Sequence, residues 1–413
     1  MKYCPTILSG LRSLGVLMGI ISLMSLVSCS DDKEEEGGLR QRVTFEAKPC
    51  LTEFNEVAEA RATDETGFQT RAWNPTYGTI YDPNGMFANQ KNLVNKSIGV
   101  FFTNDIDAPI EGTFTFRNSD NTWHLTTEIE TKTYQLYGYI PKEDATSASI
   151  SHNGSYSNGA VLTIYGLKTV TPSDVCVIVG ANNGPDEDHD GGLTMGNFDV
   201  DAKATDINSN SGIGNFIYLL FDHIYSALRF SFKLDAEYAA LRTIRLRKLE
   251  LIAYANDSGG AVRAKYNARI TLLKNNSGAS PIVGDVVFEA DNSSASVAPV
   301  PLYDWENDPA KYVTLTAANP QQFMGCFVPG DHTYFKLITT YDVFDNNATP
   351  THPDGNLIRQ GCRAENTFDL RSKLSSYMET VRGQRYSYTI TVNPTYLYVL
   401  SEPDLDNPTL TIN

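Results

Sequence analysis

The chain has 413 residues and a formal net charge of −16, matched by an isoelectric point near 4.8. Hydrophobic residues at 41% and charged residues at 20% suit a folded core and are too apolar for a disordered chain. The acidity excludes the basic footprint of a nucleic-acid binder. At roughly 100–200 residues per domain the length predicts two domains, and 22 Tyr, 19 Phe and 30 Gly point toward β structure.

Residues 1–28 read as a secretory signal. Lys2 and Arg12 precede an apolar run from Leu14 to Val27 that Ser22 and Ser25 interrupt, short for a membrane helix of ~20 residues. Leu26-Val27-Ser28-Cys29 resembles a bacterial lipobox, in which the Cys thiol is acylated before cleavage. Lipidation at Cys29 would anchor the chain stably to a membrane; the alternative is an ordinary signal peptide with a coincidental Cys. Residues 29–38 form a tether rich in Asp and Glu, Asp31-Asp32-Lys33-Glu34-Glu35-Glu36. Such a run is usually only a solvated segment. It also resembles the acidic surface-export signal of Bacteroidota lipoproteins, and that resemblance implies a chain on the outer membrane, facing outward.

Period-2 patterns then dominate. Val43 and Phe45 alternate with Thr44 and Glu46 in a first strand, and Ile98–Phe102 is a buried-type run. Thr113–Phe116 and Trp123–Leu125 flank the turn residues 118–121, a hairpin. Tyr134–Pro141 and Val175–Val179 follow. Residues 182–214 are polar and rich in Gly, Asn and Asp; a long loop of this kind is functional or marks a linker. The boundary is placed at its end, giving an N-terminal β-sandwich over 39–214 with a removable first strand and a second over 215–393.

In the second half, strand patterns cover Phe216–Leu220, Leu228–Leu234, Ile244–Ile252, Val286–Phe288, Tyr312–Thr316, Phe327–Pro329, Tyr334–Phe344 and Tyr386–Val392. Asp235 and Asp369 are expected to cap short helices. The predicted class is therefore all-β, two antiparallel β-sandwich domains in tandem.

Catalytic signatures are missing. No G-x-S-x-G, H-E-x-x-H or G-x-x-x-x-G-K-[ST] occurs, and the six histidines lack ligand spacing, so an enzyme is not expected. Asp186, Asp188 and Asp190 with Gly191 have the opening spacing of a calcium loop, but Asn197 stands where a bidentate Glu belongs. Calcium is a minor expectation beside a solvated acidic loop, and no other cofactor is expected. Cys326 with Cys362 is the disulfide pair to test; unpaired thiols are the alternative.

These segments, taken in order, resemble the fimbrillin family, the Mfa-like major fimbrial subunits of the Bacteroidota. The matching stretches are Arg61-Ala62-Thr63, Arg71-Ala72-Trp73, Ile98-Gly99-Val100-Phe101 (with Lys96-Ser97 in place of the usual Gly-Asp), Tyr134–Pro141, Phe221-Asp222-His223 and Gly383-Gln384-Arg385-Tyr386-Ser387-Tyr388. The resemblance implies transthyretin-like sandwiches and a structural, non-enzymatic subunit exported as a lipoprotein. It also implies cleavage after an Arg, with Arg61 or Arg71 the candidates, and loss of the first strand. A neighbouring subunit's tail would fill the groove. Here the donor would be residues 394–413, through Tyr396, Tyr398, Leu400, Leu410 and Ile412, with Ser401–Pro408 as a turn between two strand segments. That tail could equally complete the chain's own second domain. Partners would be other fimbrial subunits, the outer membrane through Cys29 before processing, and an adhesion target on a host or another bacterium. A monomeric surface lipoprotein that binds glycan through Trp73, Trp123, Trp305 and the tyrosines is the alternative, as is a fimbrial anchor or tip.

Overall fold

The computed structural model describes residues 40–51, 55–56, 96–119, 122–130, 134–183, 216–273, 282–330, 333–346, 351, 355–372, 380–394 and 403–412. From Arg40 onward the described residues form one compact unit. In chain order the strands of the first part are β1 (Gln41–Leu51), β2 (Asn55–Glu56), β3 (Ile98–Thr103), β4 (Ile110–Arg117), β5 (Thr122–Ile129), β6 (Gln135–Ile140), β7 (Ser147–Ser151), β8 (Gly159–Lys168), β9 (Val170–Thr171), β10 (Cys176–Asn183) and β11 (Phe216–His223). Then come β12 (Ser226–Leu234), β13 (Arg242–Tyr254), β14 (Lys265–Leu273), β15 (Ile282–Ala290), β16 (Val300–Asp304), β17 (Val313–Thr314), β18 (Gln321–Phe327), β19 (Tyr334–Asp345), β20 (Leu357–Asp369), β21 (Gln384–Pro394) and β22 (Pro403–Ile412). The one α-helix among the described residues, α1 (Ala236–Ala239), starts where expected: the Asp235 carboxylate accepts hydrogen bonds from the Glu237 and Tyr238 amides. Asp369 caps a single 3-10 turn, Leu370–Ser372. No helix among the described residues is long and apolar enough to cross a membrane.

The expected all-β class is what forms. The first sheet runs β1-β11-β10-β6-β3-β4-β5, and β1 also pairs with β5, so its ladders close on themselves. Closure is thin between β10 and β6, which meet only through Cys176↔Ile140 and Val177↔Tyr139. Such a seam lets two packed sheets also be traced as one ring. Alternation fills its interior: Val43, Phe45 and Ala47 of β1, Ile98, Val100 and Phe102 of β3, and Trp123 and Leu125 of β5 form one buried cluster.

The opposite faces of β3, β6 and β10 supply Phe101, Tyr137, Tyr139, Val177 and Val179 to a second core. It is closed by a sheet of order β15-β14-β8-β7. Burial on both faces is why β3 reads as a continuous apolar run. A third core, rich in aromatic rings, lies between β12, β18 and β21 on one side and β13, β19 and β20 on the other. Phe230, Phe335, Phe368 and Tyr388 contact one another there with ring centroids 4.8–6.3 Å apart. β11 still pairs with β10 and β1, so the chain passes to the next sheet at Ile224–Tyr225, beyond the 214/215 division drawn from the sequence.

Candidate functional site

β1 crosses between two strand edges. Its first part runs antiparallel to β5, from Gln41↔Ile129 to Ala47↔Trp123. Its last part runs parallel to β11, from Glu46↔Phe216 to Leu51↔Phe221. Only Glu46 and Ala47 are paired on both sides. Val43, Phe45, Ala47 and Pro49 are buried, and the Phe45 ring lies 5.4 Å from that of Phe102. The outward side chains are polar: Thr44 shares a hydroxyl hydrogen bond with Thr126 at 3.0 Å, and Glu46 lies 3.4 Å from both Arg117 and His124. Without β1, β5 and β11 would each present unpaired N–H and C=O groups beside an apolar slot.

β22 is held differently. It pairs antiparallel with β21, from Tyr388↔Ile412 to Pro394↔Pro403. β2 pairs with the start of β21 through Asn55↔Gln384 and Glu56↔Arg385, and β12 occupies the other side. β2 and β22 thus share one edge of β21.

Of the candidate donor residues, Leu410 sits opposite Ile390 and Ile412 opposite Tyr388. Tyr396, Tyr398 and Leu400 lie outside the described residues, as do Cys29, Arg61, Arg71, Trp73, Asp186, Asp188 and Asp190. The segment expected as a turn, Ser401–Pro408, is strand from Pro403 onward. Its irregularity survives as a break in register between Thr391↔Thr409 and Asn393↔Asp404, a natural place for Pro408, which has no N–H to give.

Three further expectations can be placed. Trp123 is fully buried in the ring, its indole N–H donating to the Lys96 carbonyl at 2.8 Å. Trp305, half-buried, meets the rings of Tyr303 and Phe323. Trp123, fully buried, is not an open platform for a sugar ring. Cys326 is a buried thiol on β18 and Cys362 a half-buried one on β20; no disulfide joins them.

The sequence reading missed one cluster. Cys176 opens β10 directly opposite His223, the last residue of β11, and Asp174 turns in from the preceding loop. His223 Nδ1 is 2.6 Å from Asp174 Oδ2. Cys176 Sγ is 3.3 Å from the same oxygen and 3.5 Å from the same nitrogen. All three residues are buried. Burial, then the neighbouring Asp174 carboxylate, pushes the Cys176 thiol well above its ordinary range. A Cys-His-Asp relay needs the thiol and the carboxylate on different ring nitrogens; here both face Nδ1, so the cluster is not built as a nucleophile. Beside it, Arg382 donates to Asp222 Oδ2 at 2.8 Å and to the His223 carbonyl at 3.1 Å, tying the end of β11 to the segment that leads into β21.

No family model matches the chain, and no curated protein does. Among solved structures, a candidate cell adhesion protein of Bacteroides fragilis shares 11% identity over 90% of this chain and 98% of its own, with a TM-score of 0.34. A fimbrial protein of Bacteroides vulgatus shares 12% over 77% and 91%, at 0.30. A candidate cell adhesion protein of Bacteroides ovatus shares 12% over 91% and 97%, at 0.33. These superpositions are loose and the identities low.

Proposed function

We propose that the chain is a structural, non-enzymatic subunit of a surface fimbria that supports adhesion. In this reading it is exported as a lipoprotein through Cys29 and polymerised when proteolysis releases its first strand. The observation that carries the reading is β1: a single strand bridges β5 and β11, with a buried row facing the core and polar groups facing out. A strand from a neighbour could restore both ladders and refill the alternate pockets, which is β-augmentation. Head-to-tail contacts of this type do not close and so grow a filament.

Cleavage after Arg61 or Arg71 would fall beyond both β1 and β2. One cut would then free the slot between β5 and β11 together with the edge of β21 that β22 shares. The donor would be residues 394–413, detached from β21. The sequence resemblance to the fimbrillins points the same way, and with it to an outer-membrane, surface-exposed location before assembly and to other fimbrial subunits as partners.

Limited trypsin digestion of protein beginning after Cys29, with N-terminal mapping and electron microscopy, tests this. The expected result is a cut at Arg61 or Arg71 followed by filaments, and no filaments when residues 394–413 are deleted. Stable monomers that keep β1 after cleavage would overturn it.

A further inference from the structure

We propose that Asp174, Cys176 and His223 form a buried site for a zinc-class divalent metal ion. It would pin the loop between β9 and β10 to the end of β11.

Three observations carry this. First, the donor atoms converge: Nδ1, Sγ and Oδ2 all lie within 4.8 Å of one another, on residues buried from solvent. Cys176 and His223 are direct cross-strand partners, so their side chains share a face, and the loop brings Asp174 to it. Second, the spacing is near that of a tetrahedral zinc shell. Zinc bonds to sulfur, nitrogen and oxygen place S and N, or S and O, about 3.5 Å apart and N and O about 3.3 Å apart. The sulfur distances here are 3.5 and 3.3 Å. Only the Nδ1–Oδ2 pair, closed to 2.6 Å by a hydrogen bond, must open, by about 0.7 Å. Third, Asp174 Oδ1 is buried without a hydrogen-bond partner. A buried carboxylate oxygen needs a donor or a cation, and an ion beside Oδ2 would reach it.

Charge and softness select the ion. Binding exchanges the Cys176 proton for the metal: the S–H bond breaks, the S–metal bond forms, and that proton leaves to solvent. The proton of the Nδ1···Oδ2 hydrogen bond is given up and Nε2 takes one in its place, so that the neutral imidazole keeps one N–H and Nδ1 is free for the ion. Thiolate and carboxylate then balance the ion's two positive charges in a site where net charge is costly. Thiolate and imidazole are poor ligands for calcium, which takes six to eight oxygens, and good ones for zinc. The remaining position falls to Asp174 Oδ1. The ligands are sealed from water, so the ion enters as the chain folds.

The test is to unfold the full chain and refold it with Zn2+, with Co2+ or with a chelator. After desalting, metal is counted and the absorption spectrum recorded. The expected result is about one zinc per chain, a tetrahedral cobalt spectrum with a thiolate charge-transfer band, and a higher melting temperature than the chelated protein. Cys176→Ser and His223→Gln should each weaken binding at least ~10-fold and abolish the band or shift it. If either variant fails to fold, the unmutated protein alone still decides. No retained zinc and no cobalt–thiolate band would overturn the proposal. So would cobalt bound in an octahedral, oxygen-only spectrum, which would place the ion elsewhere, as at Asp186, Asp188 and Asp190.

Discussion

The first and last strands of the described chain are held in opposite ways. β1 is paired on two sides, antiparallel to β5 and parallel to β11, and its alternate side chains are sealed in the ring's core. Among the described residues β22 is paired on one side only, to β21. A strand paired along both edges and sealed on its inner face leaves only if the chain is cut and something else takes its place. A strand on a single ladder can exchange one partner for another, because each backbone pair it loses is matched by an equivalent pair it gains. One fold thus carries a strand laced between two neighbours and a strand laid along one.

The sharpest way to break that contrast is to offer the tail in trans. A labelled peptide of residues 395–413 should bind chain cut after Arg61 or Arg71 and show no binding to intact chain, as read by fluorescence anisotropy. Equal binding to both would erase the difference. Next in size, Phe45→Ala should lower the unfolding free energy in urea by about 3–5 kcal/mol. A loss below ~1 kcal/mol would mean that the β1 row is not part of the core.

Alkaline pH compares the two ends by their supporting cores. Burial, with smaller contributions from Glu111 and Glu143, pushes the Tyr139 hydroxyl behind the ring up to about 12. Burial likewise raises Tyr386, on β22's partner strand, to about 12. Both phenols are therefore protonated in the fold at pH values where the unfolded chain has begun to ionise. Their stabilisation is complete below pH 10 and is lost as pH rises through 12, about 2–3 kcal/mol for each. Tyr139→Phe and Tyr386→Phe should each flatten the pH profile of stability by that amount. Smallest of all, Glu46→Gln on the outward face of β1 should cost about 0.2–1 kcal/mol, far less than its inward neighbour Phe45.

Strands with one clean apolar face, or two, were legible in the sequence: β3, the β4–β5 hairpin, β6 and β12. β14 was not, because Asn267, Arg269 and Thr271 sit between the buried Ala268, Ile270 and Leu272 and give it a polar average. β20 hid for a related reason. Its first residues are exposed and its inward positions include small or polar Ala364 and Asn366 beside Phe368. Long-range parallel pairings such as β1 with β11 and β12 with β21 have no local signature. The cluster at Asp174, Cys176 and His223 escaped for the same reason, since 47 positions separate Cys176 from His223. Only the β10–β11 register brings them face to face. The end of the tail, Leu410–Ile412, was legible as a β segment, but its pairing with β21 and the strand over Pro403–Pro408 were not.

The crossing geometry of β1 also sets how the fold would bear tension. Its rungs to β5 and to β11 stand across the strand axis. A pull along that axis loads them together, in shear, whereas a pull that lifts one end meets them singly. The strand in that slot is held as a rope in a cleat, firm under traction and loose to peeling.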